Sequence, residues 1–314
     1  MSVFNKINVS EDILVIAGPT ASFKSAIAMD IAQKCESVII NADSMQVYSD
    51  LDILTARPTK RDMELVPHAL YGIIDGNRRC NVRFWLELAE KEVEKARTLG
   101  KLPILVGGTG LYLNAARQGI SEVPEISEKI HKKAESLYEE IGGCSFKKLL
   151  AQNDVDTASK LEVADRQRLV RAMEVYWQTN KPLSYWQSQP LTGAIPGNFI
   201  NVAHLPPRQS VYNSINQRVT RMMREGALDE VDLLLARGLD PALPVMKALG
   251  VRQIEAYRKS ELAFDIMIDN IAQSTRHYAK RQFTWFRNNF ISEITVKEKY
   301  SKRIISEIFS LIPQ

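Results

Sequence analysis

The eight residues that follow the first apolar segment have nearly the composition of a phosphate-binding loop. Residues 18–25 read GPTASFKS, and the pattern they approach is G-x-x-x-x-G-K-[ST]. Such a loop binds phosphate through backbone N–H groups, a helix N-terminus and a lysine charge, and its hydroxyl residue reaches a magnesium ion. Gly18, Lys24 and Ser25 fill three of the four defining positions. We therefore predict that this loop binds phosphate groups and that Ser25 is a ligand of Mg²⁺.

Phe23 occupies the fourth defining position, where the pattern has a glycine. Glycine at this position lets the backbone adopt unusual dihedral angles and approach phosphate closely. If the position requires a positive φ, phenylalanine costs about 1–2 kcal/mol. If Phe23 instead adopts the right-handed conformation at the mouth of the following helix, the loop closes without that cost. We predict a weakened phosphate site rather than an abolished one.

Polar residues follow two further apolar segments. Asp43 lies at the end of the segment 37–43 and Gln46 follows it, and Thr109 comes after residues 102–108. Because ligands of open α/β sheets bind at the carboxyl ends of the strands, we expect these side chains to converge on the loop. A carboxylate there can hold Mg²⁺ through water or act as a general base. The alternatives are an N-cap or Asx-turn role for Asp43 and a helix N-cap role for Thr109.

The elements that must position these residues follow an alternating pattern. Apolar runs at 13–18, 37–43 and 102–108 predict buried strands, and amphipathic patterns at 24–34 and 84–99 predict helices. This alternation is typical of a parallel sheet flanked by helices.

The strand pattern is lost between residues 119 and 195, where helical patterns dominate, and a Pro/Gly-rich stretch at 188–198 marks a boundary. We therefore predict an α/β fold with a P-loop core formed by residues 1–118 and 196–314, and a small all-helical insertion domain of residues 119–195. The other patterns predict helices at 127–143, 165–180, 208–236 and 264–289 and strands at 198–207 and 291–296.

Composition narrows the class of protein. Hydrophobic residues make up 45% and charged residues 25% of the 314 residues, which is typical of a globular protein and argues against disorder. The three cysteines form no C-x-x-C pair, which favours a reducing compartment and argues against a disulfide framework or a cysteine zinc site. The apolar run at 13–18 is too short to span a membrane. We expect a soluble, cytoplasmic protein that does not associate with membranes.

Two helical patterns are rich in basic residues although the net charge is only +4. Arg168 and Arg171 lie on one face of the first, and Arg276, Lys280 and Arg287 lie roughly along one stripe of the second, with aromatic residues interleaved. Such clusters suit contacts to a nucleic-acid backbone. A solvated helix face with core aromatics is an equally weighted alternative.

Taken together, these segments resemble the tRNA dimethylallyltransferase family, also called tRNA isopentenyltransferases. The motifs run in order from GPTAS at 18–22 through NADSMQVY, LTARP, LVGGTGLYL, DRQRLVRAMEV and STRHYAKRQ to KRQFTWFR at 280–287. Each motif is weak alone, but their order and spacing are specific and cover nearly the whole chain. The resemblance implies transfer of a dimethylallyl group from dimethylallyl diphosphate to N6 of the adenosine 3′ of the anticodon, with Mg²⁺ as cofactor, by a monomer.

The resemblance also assigns roles to single residues. It implies that Asp43 is the general base, that Thr109 hydrogen-bonds at the reaction centre, and that Arg218 reaches into the active site. The diphosphate-binding residues would be Gly18, Pro19, Thr20, Ala21, Ser22, Phe23, Lys24 and Ser25. With the basic helix included, the residues expected to contact the tRNA anticodon stem-loop are Asp43, Ser44, Met45, Gln46, His131, Gln167, Arg168, Leu169, Val170, Arg171, Lys247, Gly250, Arg252, Arg276 and Lys280.

The chain departs from the family pattern at several positions. Leu54 stands where the family has glycine in DIGTAKP, Val251 replaces tyrosine in G-Y-R, and His131 stands where arginine is frequent. Among the departures, Phe23 is the one that lies among the residues expected to bind the diphosphate. Three other functions therefore remain open: a small-molecule P-loop kinase, an RNA-binding relative whose site Phe23 has disabled, and an enzyme that prenylates free adenine nucleotides.

Overall fold

The computed structural model describes residues 7–311 of the chain. These residues form two compact units. The first is built from the described parts of Met1–Arg117 and Ile195–Gln314, and the second is Gln118–Ala194. No helix within residues 7–311 combines the length and apolar character needed to cross a membrane.

A parallel sheet forms the centre of the first unit. Within the described residues it has six strands in the order β3-β2-β4-β1-β5-β6, and every neighbouring pair is parallel. Because β1, β2 and β4 are apolar and buried along their whole length, helices must cover both faces of the sheet. The strands are β1 (Asp12–Ala17), β2 (Ser37–Asn41), β3 (His68–Ala69), β4 (Leu102–Gly107), β5 (Asn198–His204) and β6 (Ile294–Val296).

Four helices are formed by the part of the chain before the insertion. They are α1 (Lys24–Ala32), α2 (Lys60–Leu65), α3 (Val82–Thr98) and α4 (Gly110–Gln118). Helix α1 buries Ile27 and Ile31 in the core that covers β1, β2 and β4. Helix α3 begins after Asn81, whose side chain accepts a hydrogen bond from the Phe84 amide at 2.8 Å. Helix α1 is therefore packed on the sheet directly after the loop that follows β1.

The regular elements of the second unit are helices within its described residues, beside one isolated antiparallel bridge between Ile120 and Thr192. The unit contains α5 (Glu128–Ala151), α6 (Val155–Lys160), α7 (Arg166–Thr179) and α8 (Leu183–Ser188). Helix α5 is kinked at Gly142, whose φ of 73° is readily adopted only by glycine. Residues of α5 and α7, including Phe146, Leu169 and Met173, form the core of this unit.

Among the described residues after β5, the first unit has five α-helices and one short 3-10 helix (Val245–Lys247). The α-helices are α9 (Arg208–Glu225), α10 (Ala227–Ala236), α11 (Val251–Arg258), α12 (Phe264–Asn289) and α13 (Lys302–Leu311). The helical pattern at 208–236 is divided in two, because Gly226 adopts φ 103° and ends α9. The last predicted strand is shorter than its apolar pattern and covers only β6. The strand β3, which has two residues, has no apolar run of its own and was not predicted.

Candidate active site

The loop between β1 and α1 contains the predicted phosphate-binding residues. Glycine is required at position 18, because a Cβ there would lie 2.5 Å from the carbonyl oxygen of His204. The hydroxyl of Ser22 is buried and has no hydrogen-bond partner within residues 7–311. Buried polar groups are normally hydrogen-bonded, so this hydroxyl fits a loop that binds a polar ligand.

Phe23 adopts the left-handed conformation, with φ 65° and ψ 18°. The position therefore takes the conformation that favours glycine, and the side chain carries its cost of about 1–2 kcal/mol. The ring is 50% exposed and stacks on Tyr300, with 5.6 Å between ring centroids and 10° between ring planes. The hydroxyl of Tyr300 donates to Asp30 of α1 at 2.6 Å. A stack of this kind contributes about 0.5–1.5 kcal/mol and offsets much of the strain.

We expect the Phe23–Tyr300 stack to appear as a coupling energy between the two positions. Tyr300→Leu should lower the free energy of unfolding by about 0.5–1.5 kcal/mol more in the wild-type background than in Phe23→Gly, because glycine removes both the strain and the stack. Urea unfolding of the four variants measures this difference. Equal costs of Tyr300→Leu in both backgrounds would show that the stack does not stabilise the loop.

Lys24, the first residue of α1, provides the positive charge of the loop. Its Nζ lies 3.4 Å from the carbonyl oxygen of Pro19. Burial lowers the pKa of Lys24 to about 8, with the charge of Arg218 adding to the shift and that of Asp43 opposing it. An ammonium group that is buried away from water, with no anion close enough to compensate, is suited to bind an anionic ligand.

Asp43, just after β2, forms the Asx turn that the sequence left open as an alternative to a chemical role. Its Oδ1 accepts from the Met45 amide at 3.0 Å. Its own amide donates to Oδ1 of the buried Asn41 at 2.8 Å, which fixes the turn to the end of the strand. This turn uses one carboxylate oxygen of Asp43, Oδ1. The turn therefore orients the carboxylate without using all of its acceptors.

Thr109 connects the ends of β4 and β2. Its hydroxyl oxygen accepts from the Ser44 amide at 3.0 Å and lies 3.3 Å from the Ser44 Oγ. Its carbonyl oxygen accepts from the Leu113 amide in the first turn of α4. The hydroxyl is thus directed across the sheet edge to the residue next to Asp43.

Arg218 brings α9 to the phosphate-binding loop. Its Nη1 donates to the Thr20 hydroxyl oxygen at 3.0 Å, and its Nη2 lies 3.4 Å from the Leu54 carbonyl oxygen. Burial lowers its pKa to about 10, an effect that the charge of Asp43 opposes. The guanidinium is therefore charged at neutral pH and lies beside the loop.

Sequence reasoning missed three tyrosines near Asp43. Burial raises the pKa of Tyr71, Tyr112 and Tyr278, and the negative charge of Asp43 adds to each shift. Their phenols therefore remain protonated at neutral pH and can donate hydrogen bonds in the site. Tyr112 and Tyr278 lie inside the GTGLY and RHYAK motifs, so motif position was a signal that could have identified them.

Gln282 of α12 was also missed. Its Oε1 accepts from the Thr20 amide at 2.8 Å, and its Nε2 donates to the Gly108 carbonyl oxygen at 2.9 Å. The side chain thus joins the phosphate-binding loop to the turn that precedes Thr109. Its neighbours in the KRQFTWFR motif drew attention by charge and aromaticity, whereas a glutamine carried no such signal.

The residues proposed to contact RNA in the first unit differ in their surroundings. Lys247, Arg252 and Lys280 are exposed. Gln46 donates from Nε2 to the carbonyl oxygens of two residues of the loop that follows, at 3.0 and 2.9 Å. Gly250 is buried with φ 105°, and a Cβ there would lie 2.8 Å from the Leu54 side chain. The exposed cations are available to RNA, whereas Gln46 and Gly250 also stabilise the local fold.

The second unit contains its own group of predicted RNA-contacting residues on and beside α7. Gln167, Arg168 and Arg171 are exposed, whereas Leu169 and Val170 are buried in the helical core, so their side chains face away from solvent. Arg171 Nη1 lies 3.4 Å from the buried Glu174, and His131 Nδ1 lies 2.6 Å from the same carboxylate. One buried carboxylate therefore holds two of the predicted contacts.

The side chains of the site fit a magnesium ion that is bound together with a diphosphate. Within residues 7–311 no three His, Cys, Asp or Glu side chains form a cluster that could hold a metal. Mg²⁺ typically has one or two protein oxygens among its ligands and takes the others from phosphates and water. The exposed Ser25 hydroxyl and the Asp43 carboxylate are oxygen donors of that kind.

Glu230 of α10 supports the residues around Leu54 that receive Arg218. Its carboxylate accepts from the amides of Asp52, Ile53 and Leu54 at 2.5, 2.8 and 2.8 Å. Three charge-assisted hydrogen bonds to one side chain make this segment depend on a residue far away in the sequence.

We expect Glu230→Ala to lower the free energy of unfolding by about 2 kcal/mol, because three amides lose their acceptor. Chemical unfolding measures the change. The matched control is Asp229→Ala, which removes an exposed carboxylate from the same first turn and should change stability by less than about 0.5 kcal/mol. Equal effects of the two substitutions would contradict the assigned contacts.

The parallel sheet, the loop after β1 and the polar residues at the carboxyl edge define an α/β protein of the P-loop type. The family profile described as IPP transferase matches residues 46–289, and that described as isopentenyl transferase matches residues 11–71. The chain is 43% identical over 301 residues to a tRNA dimethylallyltransferase of Paramagnetospirillum magneticum, with 96% of each chain covered. It is 44% identical over 290 residues to one of Rhodospirillum rubrum, covering 92% of this chain and 89% of that one.

Solved structures give the same result. The chain is similar to tRNA delta(2)-isopentenylpyrophosphate transferase of Staphylococcus epidermidis, with TM-score 0.68, 31% identity and coverage of 96% of this chain and 98% of that one. It is also similar to a eukaryotic dimethylallyltransferase acting on tRNA, with TM-score 0.75, 25% identity and coverage of 88% and 70%. The chain therefore belongs to the tRNA dimethylallyltransferase family, which confirms the predicted family, α/β fold class and enzyme class.

Proposed function

We propose that this chain transfers the dimethylallyl group of dimethylallyl diphosphate to N6 of the adenosine 3′ of the anticodon in tRNA and releases diphosphate. Among the observations on this chain, the one that carries the proposal is the shared charge environment of Lys24, Asp43 and Arg218 at the loop. Two cations there suit a diphosphate, and one carboxylate suits a proton acceptor.

The chemistry requires that combination. The exocyclic amine of adenosine is a weak nucleophile, and the allylic carbon–oxygen bond breaks readily only when the charge developing on the diphosphate is neutralised. Lys24, Arg218 and the backbone amides of the loop supply positive charge and N–H donors at that place. Ser25 would help to hold Mg²⁺ at this place, and the ion would supply further positive charge to the leaving group.

Bond formation and proton transfer are assigned to the other half of the site. The N6 lone pair forms the bond to the allylic carbon, and the electron pair of the carbon–oxygen bond leaves with the diphosphate. Asp43 accepts the N6 proton through Oδ2, while its Oδ1 holds the turn. Thr109, held at Ser44, provides a hydroxyl for the reacting amine.

The RNA contacts are proposed on both units. In the first, the exposed Lys247, Arg252 and Lys280 suit phosphate groups, and in the second Arg168 and Arg171 do. The adenosine must leave its stack to reach Asp43, which costs little in the loop of an anticodon stem. We place the activity in the cytoplasm and assign it to a monomer.

The conformation of Phe23 supports a working loop over a disabled one. The backbone at this position is left-handed, as glycine would favour, so the substitution changes the cost of the conformation and not its type. The Tyr300 stack then offsets part of that cost. We therefore expect Phe23 to affect donor affinity more than the ability to transfer.

The test compares acceptors under one set of conditions. Purified protein, Mg²⁺ and labelled dimethylallyl diphosphate are incubated with an anticodon stem-loop RNA, with the same RNA carrying inosine in place of the target adenosine, and with free adenosine monophosphate. We expect label in the first RNA alone, because inosine lacks the N6 amine. Label in the free nucleotide would assign the alternative prenylation, and RNA binding without transfer would overturn the proposal.

A further inference from the structure

The side chain of Gln282 is only 6% exposed and uses both ends of its amide in the site. Its Oε1 accepts from the Thr20 amide at 2.8 Å, and its Nε2 donates to the Gly108 carbonyl oxygen at 2.9 Å. A Cβ on Gly108 would lie 2.4 Å from that Nε2, so glycine is needed at 108 for the two groups to meet. The contact is therefore closely fitted on both sides.

The two partners of Gln282 belong to the two halves of the site. Thr20 lies in the phosphate-binding loop, and its hydroxyl oxygen accepts from Arg218. Gly108 directly precedes Thr109, whose hydroxyl is bonded to Ser44 beside Asp43. The buried side chain of Gln282 thus joins the loop that is proposed to bind the leaving diphosphate to the turn beside Asp43, which is proposed to accept the proton of the amine.

Helix α12 holds Gln282 in place through its neighbours. Phe283 and Phe286 are buried, and Trp285 lies against Gly110, where a Cβ would be 2.2 Å from the indole ring. The same helix therefore contacts the turn at Gly108 and Gly110 through two consecutive turns of its own. Such an anchor fixes the position from which the amide of Gln282 reaches the loop.

We propose that Gln282 is a positioning residue that sets the distance between the phosphate-binding loop and the turn carrying Thr109, and that it withholds the Thr20 amide from the diphosphate-binding donors. This inference rests on the proposed function for its kinetic consequence, but its structural part does not. Among side chains of this size, an amide is needed because one end must accept while the other donates. Glutamate lacks the donor, and lysine and arginine lack the acceptor.

The consequence should be seen in the rate of the chemical step. Misplacement of reacting groups by about 1 Å costs on the order of 100-fold in rate. Loss of the two hydrogen bonds of Gln282 should therefore lower kcat, since dimethylallyl diphosphate and the acceptor amine would no longer be held at a fixed separation. Donor affinity should be nearly unchanged, because the bonds of Gln282 do not involve the diphosphate-binding amides of residues 21–25.

Gln282→Met tests the proposal because methionine keeps the length and burial of the side chain but neither hydrogen bond. The matched control is Gln253→Met on α11, which removes a hydrogen bond to Ser274 of the same helix α12 at 3.2 Å. We expect Gln282→Met to lower kcat per folded molecule about 10- to 100-fold with KM for dimethylallyl diphosphate within about threefold of wild type. The control should leave both constants near their wild-type values.

Hydrogen exchange of the Thr20 amide gives a second measurement that does not depend on transfer. In protein labelled with ¹⁵N-threonine, we expect this amide to exchange about tenfold faster in Gln282→Met than in wild type or in Gln253→Met. An unchanged exchange rate, or an equal fall in kcat in both variants, would overturn the positioning role. If the wild-type protein transfers nothing, the exchange rate still tests the bridge, and the proposed function fails separately.

Discussion

Replacing Asp43 by asparagine is expected to lower the rate of transfer to RNA about 10²–10⁴-fold, the usual contribution of a general base. Asparagine is nearly the same size, and its amide oxygen can still accept from the Met45 amide, so the turn after β2 is preserved. What the substitution removes is the carboxylate that is proposed to take the N6 proton. The binding of dimethylallyl diphosphate and of the RNA should stay within about tenfold of wild type.

Single-turnover transfer and direct binding titrations separate these effects. The matched control is Asp269→Asn, the same change of charge at an exposed position of α12, which should leave the transfer rate unchanged. A transfer rate for Asp43→Asn within a few-fold of wild type would show that another group receives the proton. A loss explained wholly by weaker RNA binding would assign Asp43 to recognition instead.

Lys24→Ala is expected to lower the rate of transfer about 10²–10³-fold and to weaken the binding of dimethylallyl diphosphate. The substitution removes a positive charge that is proposed to neutralise the leaving diphosphate. In the wild type the pKa of Lys24, lowered to about 8 by burial, makes the affinity depend on pH. Below about pH 8 the amine is charged and has the positive charge that the proposed diphosphate contact requires. Above it the free protein holds a neutral amine, so affinity should fall as pH rises.

Calorimetric titration of the donor between about pH 7 and pH 9.5 measures the dependence. Lys24→Arg is the control, since a guanidinium stays charged through this range, so its affinity should not fall there. Arg218, with its pKa lowered only to about 10, also keeps its charge over most of the range. A wild-type affinity that does not change with pH, or one that falls equally in Lys24→Arg, would contradict a direct role for the Lys24 charge.

Much of the fold was predictable because it depends on local patterns. The continuous apolar runs predicted β1, β2 and β4, and the loop motif predicted the start of α1 at Lys24. The break between α9 and α10 was not predicted, although Gly226 inside a helical pattern was a usable signal. Strand β3 escaped because two residues carry no periodicity, and its pairing with β2 decides that it forms at all.

The candidate site was predictable only in part, for a different reason. Asp43, Thr109 and Lys24 follow predicted strands, so the rule for sheet edges brings them together. Glu230 and Gln282 reach the same region through long-range contacts. The partners of Glu230 are at least 176 positions away in the sequence, and those of Gln282 are at least 174 positions away. No local pattern encodes such contacts. The conformation of Phe23 likewise depends on a distant partner, Tyr300.

The conformation of Phe23 depends both on the local loop motif and on tertiary packing. The sequence left both a right-handed and a left-handed conformation open, and the structure has the left-handed one. The motif predicted that a glycine belongs at the position, which is a statement about backbone dihedrals. The stack on Tyr300 belongs to tertiary packing, and it explains how a bulky side chain is retained where the backbone favours none.

The activity proposed for this chain is the addition of a dimethylallyl group to one adenosine of tRNA. The most direct measurement is nucleoside mass spectrometry of unmodified tRNA after incubation with the purified protein, Mg²⁺ and dimethylallyl diphosphate. We predict a gain of one five-carbon unit on the adenosine 3′ of the anticodon, lost in Asp43→Asn. If folded protein binds both substrates but leaves the adenosine at that position unmodified, the proposed transfer is wrong.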